Sequence, residues 1–217
     1  MKELITHSEF IELLGKYQHV IWDWNGTIVD DVELCHQINA EILKELDDRD
    51  FTFQDYLKNF QFPVKNFYEQ IGYKLSDDEF NKINDRFLEK YSTLDHTCNI
   101  RPIALKGLES VAENGNRNSI LTAANQPAVE AKIDSLGLGH LIFQIQGRSD
   151  NTASGKIDIA KKLIEKIHIH PSDITIIGDT LHDHEVAHSL DIDCILITGG
   201  HQDIEMLLKS GAKVVKG

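Results

Sequence analysis

The second half of the chain alternates between short β-forming runs and helical patterns, and this alternation constrains the fold more than any other feature. Apolar runs at 119–122, 141–145, 174–177 and 194–197 are separated by helical patterns at 127–136, 157–167 and 184–190. Strands joined by helices form a parallel sheet with helices on both faces and right-handed crossovers. The sequence therefore predicts an α/β fold with a doubly wound parallel sheet.

An earlier strand is expected to end in a polar turn. Bulky apolar residues lead to Trp22, Asp23 then interrupts them, and Asn25-Gly26 is a turn signal. A carboxylate at the end of a buried strand is costly unless it has a partner or a function. Taken alone, the pattern fits equally well a strand whose aspartate caps the next helix.

Residues 31–99 show helical patterns, at 32–46, 53–60, 64–71 and 77–91, without a convincing strand signal. Ser76 followed by three acidic residues is typical of a helix start. A segment of this length is too long for a simple crossover between two strands. We therefore predict a core domain of residues 1–30 and 100–217 and an inserted helical cap domain of residues 31–99.

Composition excludes several classes of function. The 217-residue chain is 41% hydrophobic, yet it contains no apolar run long enough to span a membrane, and its start does not resemble a signal peptide. The three cysteines show no metal-type spacing, which favours a cytoplasmic protein. A net charge of −13 disfavours nucleic acid as a partner. A small anion is compatible with this charge if a metal ion and lysines reverse the local field.

Polar residues follow or flank the predicted strands at several points. Asp23 and Thr122 end two strands, Asp179 and Asp183 follow a third, and Lys156 opens a helix. In a doubly wound sheet, the carboxyl ends of neighbouring strands converge on one crevice. We therefore expect three carboxylates, a hydroxyl and an ammonium to lie together.

This set of charges suits a bound phosphate. Three adjacent carboxylates cannot all stay ionised without cations, and Mg²⁺ prefers carboxylate, water and phosphate oxygens. Asp23 can attack phosphorus, while a metal ion and Lys156 balance charge and Thr122 holds a phosphate oxygen. The product of the attack would be an aspartyl-phosphate that water then hydrolyses.

The same residues carry a family resemblance that covers nearly the whole chain. Asp-Trp-Asn-Gly-Thr at 23–27, Thr122, Lys156 and Gly-Asp-Thr-Leu-His-Asp at 178–183 resemble, in this order, the four motifs of haloacid dehalogenase-like hydrolases. The helical insert resembles the C1-type cap of phosphoglycolate-phosphatase-like members. The resemblance implies a Mg²⁺-dependent phosphatase that acts on a small phosphorylated metabolite.

The resemblance also implies a role for each motif residue. Asp23 would be the nucleophile, Thr122 and Ala123 would bind phosphate, and Lys156 would neutralise nucleophile and phosphate. The groups implied for the metal are Asp23, the backbone carbonyl of Asn25, Asp179 (directly or through water) and Asp183, which would fix Lys156 or metal-bound water.

Asn25 departs from the family pattern. Phosphatases of the family usually carry aspartate there, as general acid for the leaving group and then as base for water, and an amide can do neither. Asp30, Asp31, His182 and His184 are the residues that could replace it. Two alternatives remain open: a non-catalytic phosphate-binding or regulatory protein, and a receiver domain that accumulates the aspartyl-phosphate, which the long insert and the motif order disfavour.

Overall fold

The computed structural model of the protein describes residues 4–148 and 156–217. The strands in these ranges are β1 (His19–Trp22), β2 (Val29–Asp30), β3 (Asn99–Ile100), β4 (Arg117–Asn125), β5 (Gln144–Arg148), β6 (Ile174–Gly178), β7 (Asp193–Ile197) and β8 (Lys213–Val215). The α-helices there are α1 (His7–Leu14), α2 (Val32–Asp47), α3 (Phe53–Asn59), α4 (Val64–Gln70), α5 (Asp77–Leu94), α6 (Pro102–Glu113), α7 (Gln126–Ser135), α8 (Lys156–Ile167), α9 (Leu181–Ser189) and α10 (Ile204–Lys209). None of the helices within the described ranges is long and apolar enough to cross a membrane.

Six of the described strands form a sheet in the order β5-β4-β1-β6-β7-β8, and its strands are parallel, as the alternating pattern predicts. Trp22, the last residue of β1, pairs with Ile120 of β4 and with Ile177 of β6. The residue that follows Trp22 therefore leaves the sheet between two neighbouring strand ends.

Both faces of the sheet are buried, which explains the continuous apolar run of β1. Val20 and Trp22 pack in one hydrophobic cluster with residues of α1 and α6, whereas Ile21 packs on the opposite face with residues of α8 and α9. On the Trp22 side, a Cβ at Gly107 would lie 2.5 Å from the indole ring. Glycine thus allows α6 to approach the sheet closely, and the doubly wound fold is confirmed.

The segment between β2 and β3 forms the helices α2, α3, α4 and α5. β2 and β3 pair antiparallel, so the chain enters and leaves this helical insert (residues 31–99) through adjacent segments. The insert has its own hydrophobic cluster, which includes Ile42, Tyr56 and Phe67. Its longest helix begins at the predicted place, because the side chains of Ser76 and Glu79 form a reciprocal capping box.

Several element boundaries differ from the sequence prediction, and two of the differences have a local cause. The strand expected at 141–145 lies at Gln144–Arg148, because residues 139–141 form a 3₁₀ turn instead. The helix expected from His184 begins at Leu181, because Asp183 accepts hydrogen bonds from the backbone and the hydroxyl of Thr180 and so caps the helix start. Asp183 is therefore a residue of the first helical turn.

Candidate active site

The carboxyl ends of β1 and β6 and the start of α8 bring a buried lysine between two aspartates. Lys156 Nζ lies 2.7 Å from Asp23 Oδ1 and 2.6 Å from Asp183 Oδ1, and all three side chains are at least about nine-tenths buried. Asp179 is also buried, and one carboxylate oxygen each of Asp23, Asp179 and Asp183 lie within 4.8 Å of one another. The structure therefore brings these four sequence-predicted residues together.

The two residues predicted to bind phosphate lie in β4, the neighbour of β1. Thr122 is two residues beyond Ile120, the partner of Trp22, and its hydroxyl is buried and accepts a hydrogen bond from the backbone N–H of Ala124. Ala123 between them is exposed. Thr122 thus extends past the pairing with β1 on the side where Asp23 leaves the sheet.

The loop after β1 packs directly on Asp179. Thr27 Oγ1 donates to Asp179 Oδ1 at 2.8 Å, and the backbone N–H of His201 donates to Asp179 Oδ2 at 2.6 Å. Gly26 has φ +72°, and a Cβ there would lie 2.4 Å from Asp179 Oδ2. The Asn-Gly turn signal in the sequence therefore reflects a close approach that only glycine permits.

The two oxygens of Asp183 are occupied differently from those of Asp179. Oδ1 accepts from Lys156, and Oδ2 accepts from the N–H and hydroxyl of Thr180 and from the N–H of Asp179. A Cβ at Gly178 would lie 2.2 Å from Asp183 Cγ. Asp183 is thus fixed in one position, from which it holds Lys156.

The site has an excess of negative charge. Burial, together with Asp183 and Asp179, raises the pKa of Asp23 to about 7 despite the opposing effect of Lys156. Burial also raises the pKa of Asp179, whereas Lys156 and Thr180 lower the pKa of Asp183 although burial acts against them. The three carboxylates carry more charge than the single ammonium neutralises, and a divalent cation would balance the remainder. Their oxygen atoms are the ligands that a hard cation prefers. The carboxylate cluster therefore fits a metal ion.

Asn25 faces a buried carboxylate that sequence reasoning named but did not place. Its Nδ2 donates to Asp31 Oδ2 at 2.6 Å and to the hydroxyl of Tyr91, from α5, at 2.8 Å. Tyr91 also donates to Asp31, and the N–H of Gly26 donates to the other Asp31 oxygen. Burial acts to raise the pKa of Asp31, but His201, Asn25 and Tyr91 lower it overall.

The structure separates the four residues that could replace the missing acid. Asp31 contacts Asn25, whereas Asp30 is exposed in β2. His182 packs against Phe62 of the insert with ring centroids 5.2 Å apart, and His184 lines a different cavity, with His188 and Cys194 among its other wall residues. Asp31 is therefore the carboxylate adjacent to the position normally held by the acid.

His201 is the residue that sequence reasoning missed. It lies in the loop after β7, where its Nε2 is 3.4 Å from Asp31 Oδ1 and its Nδ1 shares a hydrogen bond with the hydroxyl of Tyr56 in the insert. Burial acts to lower the pKa of His201, but Asp31 and Asp179 raise it overall. The sequence signal that could have identified His201 was Gly199-Gly200-His201, which follows a further predicted strand.

The same loop joins the insert to the core. Gln202 Nε2 donates to the carbonyl of Phe60 at 2.8 Å, and the N–H of Asp203 donates to the carbonyl of Leu57 at 3.0 Å. With the contact between Tyr56 and His201, these bonds place α3 of the insert against the strand ends that carry the site.

The fold and the strand-end residues define a class of α/β hydrolase, and comparison with known proteins agrees with it. A sequence model of the haloacid dehalogenase-like hydrolases matches residues 20–197, and the chain belongs to this family. No curated protein sequence matches the chain significantly.

Solved structures with the same fold have low sequence identity to the chain. A predicted phosphatase from Clostridium acetobutylicum has a TM-score of 0.79 at 20% identity over 93% of this chain and 94% of that one. A haloacid dehalogenase-like family protein from Streptococcus pneumoniae has 0.74 at 19%, with the same coverages. A predicted phosphoglycolate phosphatase from Haemophilus somnus has 0.71 at 18%, again covering 93% and 94%. At these identities the likeness establishes the fold.

Proposed function

We propose that the protein is a Mg²⁺-dependent phosphatase of a small phosphorylated metabolite and that Asp23 is its nucleophile. The observation that carries this proposal is Lys156, held 2.7 Å from Asp23 and 2.6 Å from Asp183 beside the further carboxylate of Asp179. A nucleophile that is paired with a fixed cation at the carboxyl ends of parallel strands is suited to attack an anionic phosphoryl group. Structural neighbours described as predicted phosphatases support the same reaction class.

The proposed reaction has two steps. A carboxylate oxygen of Asp23 attacks phosphorus, the bond from phosphorus to the alcohol oxygen breaks, and an aspartyl-phosphate forms. Water then attacks this intermediate, which releases phosphate and restores Asp23. Lys156 balances charge on the transferring group, and Thr122 with the backbone at Ala123 binds its oxygens.

The proposed metal ligands are Asp23, the backbone carbonyl of Asn25 and Asp179. The bound ion would offset the charge of the carboxylates and of the phosphoryl group. Asp183, whose oxygens already accept four hydrogen bonds, acts through Lys156 or through metal-bound water. The hard oxygen donors favour Mg²⁺ over softer ions.

Asn25 sets the proposed substrate preference. An alkoxide leaving group needs a proton, an activated phenolate or acyl phosphate hardly needs one, and an amide cannot supply it. We expect the wild-type protein to favour activated phosphoesters or acyl phosphates and to be slow on alkyl phosphates. Asp31, next to Asn25, is the carboxylate best placed to compensate in part.

We further propose that residues 31–99 act as a cap domain on a core of residues 1–30 and 100–217. The insert has a hydrophobic cluster of its own and contacts the site through Tyr91 and Tyr56. Closure of such a cap excludes water and brings its side chains to the leaving group. Three unpaired cysteines agree with a cytoplasmic location, which we also propose.

The test is phosphate release from a panel of phosphorylated metabolites and an activated aryl phosphate, with and without Mg²⁺. We expect steady-state turnover that chelation removes and that Asp23→Asn and Asp179→Ala both abolish while the variants stay folded. Full activity of Asp179→Ala, or activity in excess chelator, would contradict the metal assignment.

A second candidate, a non-catalytic phosphate-binding protein, is favoured by one observation, the amide at Asn25. It predicts binding of Mg²⁺ and phosphate without turnover on any substrate in the panel. The two candidates therefore differ in steady-state phosphate release.

A further inference from the structure

A second group of potential metal ligands lies beside the three carboxylates, because the backbone N–H of His201 donates to Asp179 Oδ2. Asp31 at the start of α2, Cys35 one turn later and His201 in the loop after β7 are all buried. Their oxygen, sulfur and nitrogen atoms lie within 4.8 Å of one another. This cluster shares no residue with Asp23, Asp179 and Asp183, and the proposed reaction assigns no task to Cys35.

The distances in this cluster resemble those of a tetrahedral zinc site. His201 Nε2 is 3.4 Å from Asp31 Oδ1, and Cys35 Sγ is 3.6 Å from Asp31 Oδ2. With tetrahedral angles and the usual zinc bond lengths, neighbouring ligand atoms are separated by roughly 3.4 Å for nitrogen and oxygen and by roughly 3.6 Å for sulfur and oxygen. The two distances involve different oxygens of Asp31, so one ion close to both His201 and Cys35 would contact both oxygens of this carboxylate, or one of them after a small rotation.

The surroundings orient these ligands. The hydroxyl of Tyr56 shares a 2.8 Å hydrogen bond with His201 Nδ1, which leaves Nε2 directed towards Asp31. A metal-bound imidazole is commonly held by such a bond on its other nitrogen. The hydroxyl of Tyr91 is 2.8 Å from Asp31 Oδ2 and borders the position where a fourth ligand, the phenol or a water molecule, would complete the site.

From this geometry we propose that Asp31, Cys35 and His201 form a second, zinc-type metal site, distinct from the proposed magnesium site. Binding releases the thiol proton of Cys35 and the proton of His201 Nε2 to solvent, and it joins sulfur, nitrogen and oxygen to one ion. Thiolate and imidazole ligands select zinc and similar borderline ions, whereas Mg²⁺ prefers oxygen ligands.

Occupation of this site affects the loop that carries Asn25. The carboxylate of Asp31 accepts hydrogen bonds from Asn25 Nδ2 and from the N–H of Gly26, and an ion on the same oxygens competes with both. Zinc at this site therefore inhibits the enzyme by displacing the Asn25 loop. This consequence rests on the proposed phosphatase function, whereas the binding itself does not.

The experiment is a titration of the reduced, metal-free chain with Co²⁺ in saturating Mg²⁺, followed by displacement with Zn²⁺. We expect one equivalent of Co²⁺ to produce a near-ultraviolet thiolate-to-cobalt absorption band. Cys35→Ser should remove the band and weaken Zn²⁺ binding at least tenfold, and in activity assays it should raise the half-inhibitory Zn²⁺ concentration by a similar factor. The matched control is Cys194→Ser, at a partly exposed thiol in β7, which should retain band, affinity and activity.

Absence of the band in the wild-type chain would overturn the proposal, because no thiolate would then bind the ion. Persistence of the band in Cys35→Ser would also overturn it, because the ion would then bind at another thiol. If Cys35→Ser does not fold, the double variant Cys98→Ser/Cys194→Ser decides, because Cys35 is its sole remaining thiol. That variant must keep the band. Because cobalt binding is measured without substrate, failure of the phosphatase proposal leaves this test intact.

Discussion

Asn25 donates a 2.6 Å hydrogen bond through Nδ2 to Oδ2 of Asp31, a carboxylate with no solvent exposure. The amide stands where the family usually has its acid, and the carboxylate that receives its hydrogen bond stands six residues later in the chain. The pair thus places one amide and one carboxylate in contact, and the carboxylate belongs to Asp31 and not to residue 25.

Exchanging the two side chains tests whether this arrangement limits the reaction. Asn25→Asp alone places a partly buried carboxylate in contact with the buried Asp31, and their repulsion favours a shared proton. The double variant Asn25→Asp/Asp31→Asn again pairs one carboxylate with one amide, but the carboxylate is now at position 25. A positioned acid contributes roughly 10² to 10⁴ in rate, so we expect the double variant to gain about tenfold or more on alkyl phosphates.

Asp31→Asn alone is the control for this exchange and should give no gain. An activated aryl phosphate should respond little to the exchange, since its leaving group needs no proton. Intact mass at Asn25-Gly26 must be checked first, because this pair is prone to deamidation. If wild-type protein already hydrolyses alkyl phosphates quickly and the double variant gains nothing, another residue supplies the proton.

Lys156 is expected to contribute to both stability and activity. Lys156→Gln leaves Asp23 and Asp183 without their shared cation in a buried site, and breaking a buried ion pair costs about 3–5 kcal/mol. Denaturant unfolding in chelator should show this loss, and phosphate release should fall at least about 10²-fold. Adding Asp183→Asn should recover stability without recovering activity. Equal stability of Lys156→Gln and wild type would show that the ion pair contributes little.

Tyr56 should link the insert to the metal site. Tyr56→Phe removes the hydrogen bond to His201, whose backbone N–H holds Asp179, at a cost of about 1 kcal/mol. We expect weaker Mg²⁺ binding by calorimetry. The matched control is Tyr68→Phe, which removes a buried hydroxyl that donates to Asn39 within the insert. If both variants change Mg²⁺ affinity alike, the effect comes from the insert's general stability.

Protonation of His19 is expected to lower the stability of the protein at acidic pH. It is buried in β1, with Nε2 hydrogen-bonded to Ser119 and Nδ1 without a partner among the described residues. Burial, aided by Arg117, lowers its pKa from 6.5 to about 4. Because the folded protein binds this proton less well than the unfolded chain, the stability gained above pH 6.5 is lost as the pH falls towards 4. The loss amounts to about 3 kcal/mol at most.

His19→Gln should flatten the fall of the melting temperature between pH 6.5 and 4. The control His188→Gln, at an exposed histidine, should leave the wild-type curve unchanged. If the melting temperature of His19→Gln falls between pH 6.5 and 4 as much as that of the wild type, other groups cause the loss of stability.

Local patterns were sufficient to predict most of the fold. Apolar periodicity and turn residues are properties of neighbouring residues, so the strands of the parallel sheet and the helix start at Ser76 followed from them, whereas the short strands β2 and β3 were not predicted. The boundary error at α9 arose from a missed local signal, because Thr180 and Asp183 form a capping box of the same kind as Ser76 and Glu79. Since parallel strand ends share one edge, the sequence also predicted that Asp23, Lys156 and Asp179 would meet.

What the sequence determined is therefore the sheet, the helical insert and the polar strand ends, because each depends on local pattern and topology. Only the tertiary structure decided that Asp31 contacts Asn25 and that His201 lies beside Asp31. It also decided that, from the insert, Tyr56 contacts His201 and Tyr91 contacts Asn25 and Asp31. Except for the pair of Asn25 and Asp31, these contacts join segments distant in sequence. No periodicity records such packing, and burial at those contacts sets which groups carry charge.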